Sequence, residues 1–188
     1  MKYMKTPTRY HGLSIALHWL MLILIAAVFA CMELKGNFPK GSGIREGLKL
    51  WHFGLGISVL MLVCIRLLTR LLTTNPADPN DMSPQWQKLA ATAMHLALYA
   101  WMIAMPLLGW LILSAEGKHV AFLGYPLPWL MQPSETWAER FEQAHEWGAL
   151  AGYWMIGLHA LAGIAHHYLW RDGTLLRMLP RRSNAPPV

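Results

Sequence analysis

The sequence predicts an all-α integral membrane protein, a four-helix bundle with both termini cytoplasmic, on three observations. First, the chain of 188 residues is 55% hydrophobic and only 14% charged, against about 25% charged in ordinary globular proteins; lipid is the matching solvent. Second, four segments contain no Asp, Glu, Lys or Arg: Leu13 to Met32, Leu50 to Ile65, Leu89 to Ala115 and Trp147 to Trp170, of 20, 16, 27 and 24 residues. A spanning helix takes about 20 apolar residues, and four such runs rarely share one soluble domain. Third, the charges between the runs are lopsided. With the N-terminus inside, that side holds ten Lys and Arg (Lys2, Lys5, Arg9, Arg66, Arg70, Lys88, Arg171, Arg177, Arg181 and Arg182) and three acids (Asp78, Asp81 and Asp172), a net +7 against −1 opposite. The positive-inside rule then sets the orientation. The net charge of +6 is thereby topological, and no nucleic-acid partner is implied.

A single transmembrane domain covers residues 1–188. The first span, about residues 12–33, has an apolar region longer than the roughly 7–15 residues of a signal peptide. The second, about 46–68, has a short charge-free centre, but Lys49 and Arg66 can extend their aliphatic stems to the headgroups. The connector "TTNPADPNDMSP" carries three prolines and is irregular. The third span is about 87–114. After it, "GYPLPW" and "QPSETWAERFEQ" predict an extended piece and an interfacial helix leading into the fourth span, about 143–170. Trp19, Trp51, Trp86, Trp110, Trp147 and Trp170 fall near span ends, as interfacial anchors do. Cys31 and Cys64 sit near opposite membrane faces, so a disulfide between them would cross the bilayer; both read as packing residues.

Ionisable side chains within spans are costly and point to function. His145 and His159 are fourteen residues apart, about 21 Å along a helix and on nearly the same face. Two stacked sites follow, each needing an imidazole from another helix at its own depth. By depth, only His52 can serve His145, whereas His18 and His95 are both available to His159. Paired imidazoles on either side of a planar macrocycle describe six-coordinate haem. Zinc more often takes further Cys, His or carboxylate ligands. No Cys-x-x-Cys-His motif is present, so the haem is non-covalent. Gly54, Gly56, Gly148, Gly152, Gly157 and Gly163 let either a macrocycle or a neighbouring helix approach closely. Haem carboxylates also need cations: Arg45, Lys49 and Arg140 are available outside, Arg9, Arg66 and Arg171 inside.

The stretches "SIALHWLMLILI", "CMELKGNFPKG", "KLWHFGLGISVLMLVCIRLLTRL" and "HEWGALAGYWMIGLHALAGIAHHYLWRDGTLLRMLPRR" together resemble the bacterial di-haem cytochrome b-561 family over nearly the whole chain. They are most similar to its small stand-alone superoxide-oxidising branch. The resemblance implies a bundle in the bacterial inner membrane holding two b haems, one on His18 and His159, the other on His52 and His145; His95 is then structural or supporting. It also implies a superoxide:quinone oxidoreductase that oxidises superoxide at the outer, periplasmic face and reduces ubiquinone, with no obligatory protein partner. Lys35, Lys40, Arg45 and Lys49 outnumber Glu33 and Glu46 in the first outer loop, a local excess that can attract an anion.

For the quinone, His166 lies seven residues beyond His159 on a similar face, where an imidazole can hydrogen-bond a carbonyl and pass protons. His167 points elsewhere, and His11 and His119 are solvated. Two other readings stand beside this one. In the first, the protein is a carrier subunit relaying electrons between a dehydrogenase or hydrogenase and quinone; in the second, it is a non-redox metal or proton transporter.

Overall fold

A computed structural model describes residues 9–73 and 84–180. Lys2, Lys5, Asp78, Asp81, Arg181 and Arg182, which enter the charge balance, and most of the proline-containing connector lie outside those residues. The order of elements is α1 (Gly12–Lys35), α2 (Gly43–Leu72), α3 (Gln85–Ala115), β1 (Ala121–Phe122), β2 (Tyr125–Pro126), α4 (Glu135–Ala165) and α5 (Thr174–Arg177), with a π-helical turn, His166–Trp170, continuing α4. Among the described residues four helices are long and apolar enough to cross a membrane: α1, α2, α3, and α4 with its π turn.

The first two helices begin at side-chain caps. His11 Nδ1 accepts from the Leu13 amide at the start of α1, and Ser42 Oγ accepts from the Arg45 amide at the start of α2. Such side chains satisfy the orphan donors of a first turn. At 30 residues, α2 is about 45 Å long, so its charged ends reach beyond a hydrocarbon core of about 30 Å. The interfacial helix expected to lead into the fourth span is continuous with that span as the first part of α4. Between Glu135 and His145 there is neither Gly nor Pro, so nothing interrupts the helix, and Glu135 in the first turn favours the positive end of its dipole.

Successive helices pack side by side, α1 on α2, α2 on α3 and α3 on α4. The core is Met21 with Val59 and Val63, flanked by Leu24, Val28, Tyr99 and Ile103. One end of the bundle carries the start of α1 and the end of α4, the other a β hairpin; they are called here the terminal and hairpin ends. The hairpin pairs Ala121 with Pro126 and Phe122 with Tyr125. Its two-residue loop has positive φ at both Leu123 and Gly124, the arrangement whose twist suits a tight hairpin. The following segment is tied to the end of α3: buried Ser114 Oγ accepts from the Leu130 amide, and the Trp110 indole donates to the Pro128 carbonyl.

Two α4 glycines are required by α3. A Cβ at Gly152 would overlap the ring of Trp101, and one at Gly148 the thioether of Met105, whereas Gly157 and Gly163 face nothing within 4 Å. Trp101 cannot yield easily, because its indole Nε1 donates to the Gly148 carbonyl at 2.7 Å; methionine is flexible. Gly152→Ala should therefore lower stability by about 1–3 kcal/mol, the usual cost of overpacking. Gly148→Ala should cost less and Gly157→Ala close to nothing, all measured by thermal unfolding in detergent. Equal melting temperatures for the Gly152 and Gly157 variants would contradict this packing.

Candidate functional site

Each of the two α4 histidines faces an imidazole from another helix. At the hairpin end the ring centroids of His145 and His52 (α2) are 6.0 Å apart. At the terminal end His159 lies 6.2 Å from His18 (α1) and 5.4 Å from His95 (α3). Two metal–nitrogen bonds of about 2 Å each, plus the two ring radii, set the centroids of trans imidazoles roughly 6 Å apart. Both ends therefore have room for one metal between paired rings.

Hydrogen bonds assign the ring nitrogens. His52 Nδ1 is 3.0 Å from the Val28 carbonyl and His95 Nδ1 2.7 Å from the Ala91 carbonyl. A carbonyl only accepts, so in each ring Nδ1 carries the hydrogen and Nε2 keeps the lone pair that a metal needs. His18 differs: Arg66 Nη2 sits 3.2 Å from its Nδ1, and because arginine only donates, His18 Nδ1 is here the acceptor. Three imidazoles thus converge at the terminal end: His95 already presents a free Nε2, whereas His18 would present one only once its Nδ1 rather than Nε2 carries the hydrogen, with Arg66 released, and distance alone does not choose between them.

Three features fit a haem between such pairs. A cavity of about 370 Å³ is lined by His52, His145, Gly56, Gly109, Phe29 and Trp101 among others, within the roughly 300–1,000 Å³ of small-molecule sites. His145 Nδ1 is buried without a well-formed hydrogen bond, with the Met105 backbone as an acceptor on that side, which leaves Nε2 as the nitrogen for a metal. Gly56 has no atom within 4 Å of where a Cβ would lie, and a Cβ on Gly109 would touch the His145 ring. Moreover, among the described residues no three His, Cys, Asp or Glu side chains are arranged to hold a bare metal ion. The glycines thus divide between the two roles expected of them: Gly56 borders the cavity, while Gly148 and Gly152 receive side chains of α3.

The cations are unequally committed. Arg66 Nε donates to the Tyr99 hydroxyl at 3.1 Å, while its Nη1 is buried and unpartnered. That makes it the cation best placed to meet a carboxylate at the terminal end. At the hairpin end Arg45 Nη1 donates to the Lys35 and Phe38 carbonyls, closing the end of α1. Lys49 pairs with Glu46 at 2.8 Å, and Arg140 lies 5.2 Å over the Trp137 ring. Of the four cations expected to steer an anion, Arg45 bonds neutral carbonyls and keeps its charge, whereas the Glu46 carboxylate offsets that of Lys49.

Some participants were not evident from the sequence. Tyr153 of α4 donates to Glu33 of α1 at 2.8 Å and packs on Phe29, bridging the two helices beside the cavity. His166 Nδ1 is hydrogen-bonded to Asp172 Oδ2, a residue that in the sequence reads only as a loop charge. The available signal was Gly173 immediately after it, which permits the turn that brings Asp172 back. His11 caps α1, and His119 stacks on Trp129.

A family model described as prokaryotic cytochrome b561 matches residues 9–181. Similar proteins include cytochrome b561 homolog 1 of Escherichia coli (strain K12), 38% identical over 93% of this chain and 98% of the relative. A probable superoxide oxidase CybB of Yersinia pestis is 34% identical over 93% and 97%. Cytochrome b561 homolog 2 of Escherichia coli (strain K12) is 31% identical over 98% of each.

Asp172 also makes stability depend on pH. Burial acts to raise its carboxyl pKa, but hydrogen bonds from Thr174 and His166 outweigh burial and hold it below the ordinary 3.8. A carboxyl depressed in the folded state adds stability that is complete above its ordinary value and lost as pH falls through the lower folded value. Asp172→Asn should accordingly melt below the parent at neutral pH, with the gap closing in acid beneath 3.8. Thermal melts followed by far-ultraviolet circular dichroism would check this; a gap unchanged in acid would contradict it.

Proposed function

As this chain belongs to the prokaryotic cytochrome b561 family and is a membrane cytochrome b, we propose that it is a di-haem superoxide:ubiquinone oxidoreductase of the bacterial inner membrane. The observation that carries the reading is the pair of α4 histidines, each with a partner ring about one iron's width away at its own depth. His52 and His145 would hold one haem, and His18 and His159 the other, with His95 in support. A haem clasped between two imidazoles supplies one-electron exchange at its edge, with no coordination position open to dioxygen. Two superoxide ions, one quinone and two protons then give two dioxygen molecules and one quinol.

The protein's own groups do the rest. The hairpin end faces outward and the termini lie inside, because the basic residues concentrate at the terminal end. Lys35, Lys40 and Arg45 draw the superoxide anion to the hairpin end, an attraction that salt should weaken. Phe29, Trp101 and Met105 line the hairpin-end cavity and keep bulk water from it. Arg66 meets a haem carboxylate at the terminal end, and His166 binds the quinone carbonyl there. The name of the 34% identical relative supports superoxide as the substrate. The wider family supports the carrier alternative equally well, and activity without a partner separates the two.

The purified chain should contain two b haems. His52→Ala and His145→Ala should each abolish one, His18→Ala and His159→Ala the other, and His95→Ala neither, as read by haem extraction and reduced-minus-oxidised spectra. Superoxide supplied with a ubiquinone analogue should yield quinol and dioxygen without hydrogen peroxide. Spectral reduction without quinol formation, unless a second protein is added, would favour the carrier; loss of a haem in His95→Ala would overturn the ligand assignment.

A further inference from the structure

The end of α4 is built differently from the rest of the bundle. His166–Trp170 forms a π turn, a rare element frequently found at functional sites. The Arg171 amide closes it by donating to the His166 carbonyl, and the Asp172 amide donates to the same oxygen at 3.3 Å. Arg171 adopts a left-handed conformation, φ 53°, and Gly173 follows at φ 74°. This reversal returns the Asp172 carboxylate to α4. There Oδ2 meets His166 Nδ1, while Oδ1 accepts from the Thr174 amide at 2.9 Å. The carboxylate is held at both oxygens, and the Trp170 ring packs against the imidazole with centroids 4.8 Å apart. The turn is itself anchored to α1, because the Trp19 indole donates to the Met178 carbonyl at 2.8 Å, one residue from His18.

An N-cap for α5 would need only the Oδ1 contact; the second oxygen addresses the imidazole. A carboxylate accepts and does not donate, so His166 Nδ1 must carry a hydrogen and Nε2 is the nitrogen left for a ligand. We propose that Asp172 is a positioning residue that fixes the ring and tautomer of His166, so that Nε2 serves as the proton-transfer atom for a quinone at the terminal end. This rests on the reading of His166 as the quinone contact and adds the group that orders it. Protonated His166 donates from Nε2 to a quinone carbonyl oxygen. As the quinone is reduced by electrons from superoxide, that proton moves to the oxygen. Nε2 then regains a proton from water at the terminal end while Nδ1 remains bonded to Asp172. Two such cycles, with two electrons from two superoxide ions released as dioxygen, complete one quinol.

The test uses full-length, haem-loaded protein in lipid nanodiscs with a soluble ubiquinone analogue. Asp172→Asn keeps the shape and an acceptor for the Thr174 amide, but the amide nitrogen then facing His166 Nδ1 only donates and favours the opposite tautomer. The variant should keep both haems and their rate of reduction by superoxide in the absence of quinone. Its quinol turnover should fall by about tenfold or more, within the span of lost proton-transfer assistance, with the effect in kcat rather than KM. Nitrogen-15 spectra of histidine-labelled, reduced protein should show the Nδ1-protonated tautomer of His166 in the parent and a shift toward the Nε2-protonated one in the variant. Asp172→Glu should recover part of the turnover. Parent-like turnover in Asp172→Asn alongside slow turnover in His166→Gln would overturn the role of Asp172 and leave His166 as the contact. Parent-like turnover in both would remove the quinone from His166 altogether.

Discussion

The pairing of imidazoles across helices is the constraint on which the remainder of the structure depends. An uncompensated polar ring in hydrocarbon is expensive, and four helices here converge their rings at two depths. The fourteen-residue separation on α4 makes this possible, since it returns both rings to nearly one face while moving them about 21 Å along the axis. Each site then recruits its partner from a helix running in the appropriate direction: α2 at the hairpin end, α1 and α3 at the terminal end.

That arrangement explains how α3 is used. It brings no ring to the hairpin pair; instead it inserts Trp101 and Met105 over Gly152 and Gly148, bringing α4 close and walling the cavity. Pro106, which cannot donate to the helical ladder, also lines that cavity. At the other end α3 contributes His95 and Tyr99, and the Tyr99 hydroxyl accepts from Arg66. A buried guanidinium is tolerable only where its donors are met, yet one nitrogen of Arg66 stays unpartnered beside the three imidazoles. The terminal end is thus the more polar of the two sites and the one equipped with a cation.

The two ends also differ in how the chain closes them. The hairpin end is finished by backbone and indole hydrogen bonds through Ser114, Trp110 and Trp129, which leave little polar backbone unmet next to lipid. The terminal end is finished by a π turn, two left-handed residues and the Asp172–His166 contact.

Composition and spacing by themselves determined the membrane class, the four helices and the helix from which both sites are organised. Hydrophobic run length and helical period are local properties that any spanning helix must obey. The depth of each histidine likewise follows from counting residues, and it placed His52 opposite His145, which the structure brings together. Tertiary structure alone decided which glycines meet side chains and which border space, because that depends on the rotation of α3 against α4. It alone turned Arg45 onto the Lys35 and Phe38 carbonyls, and it joined Glu33 to Tyr153 across 120 residues. It also brought Asp172 back onto His166 through a left-handed turn at Arg171. No period encodes such contacts: they arise where separate helices and a chain reversal meet, and residue counting along one helix carries no information about the azimuth of its neighbour.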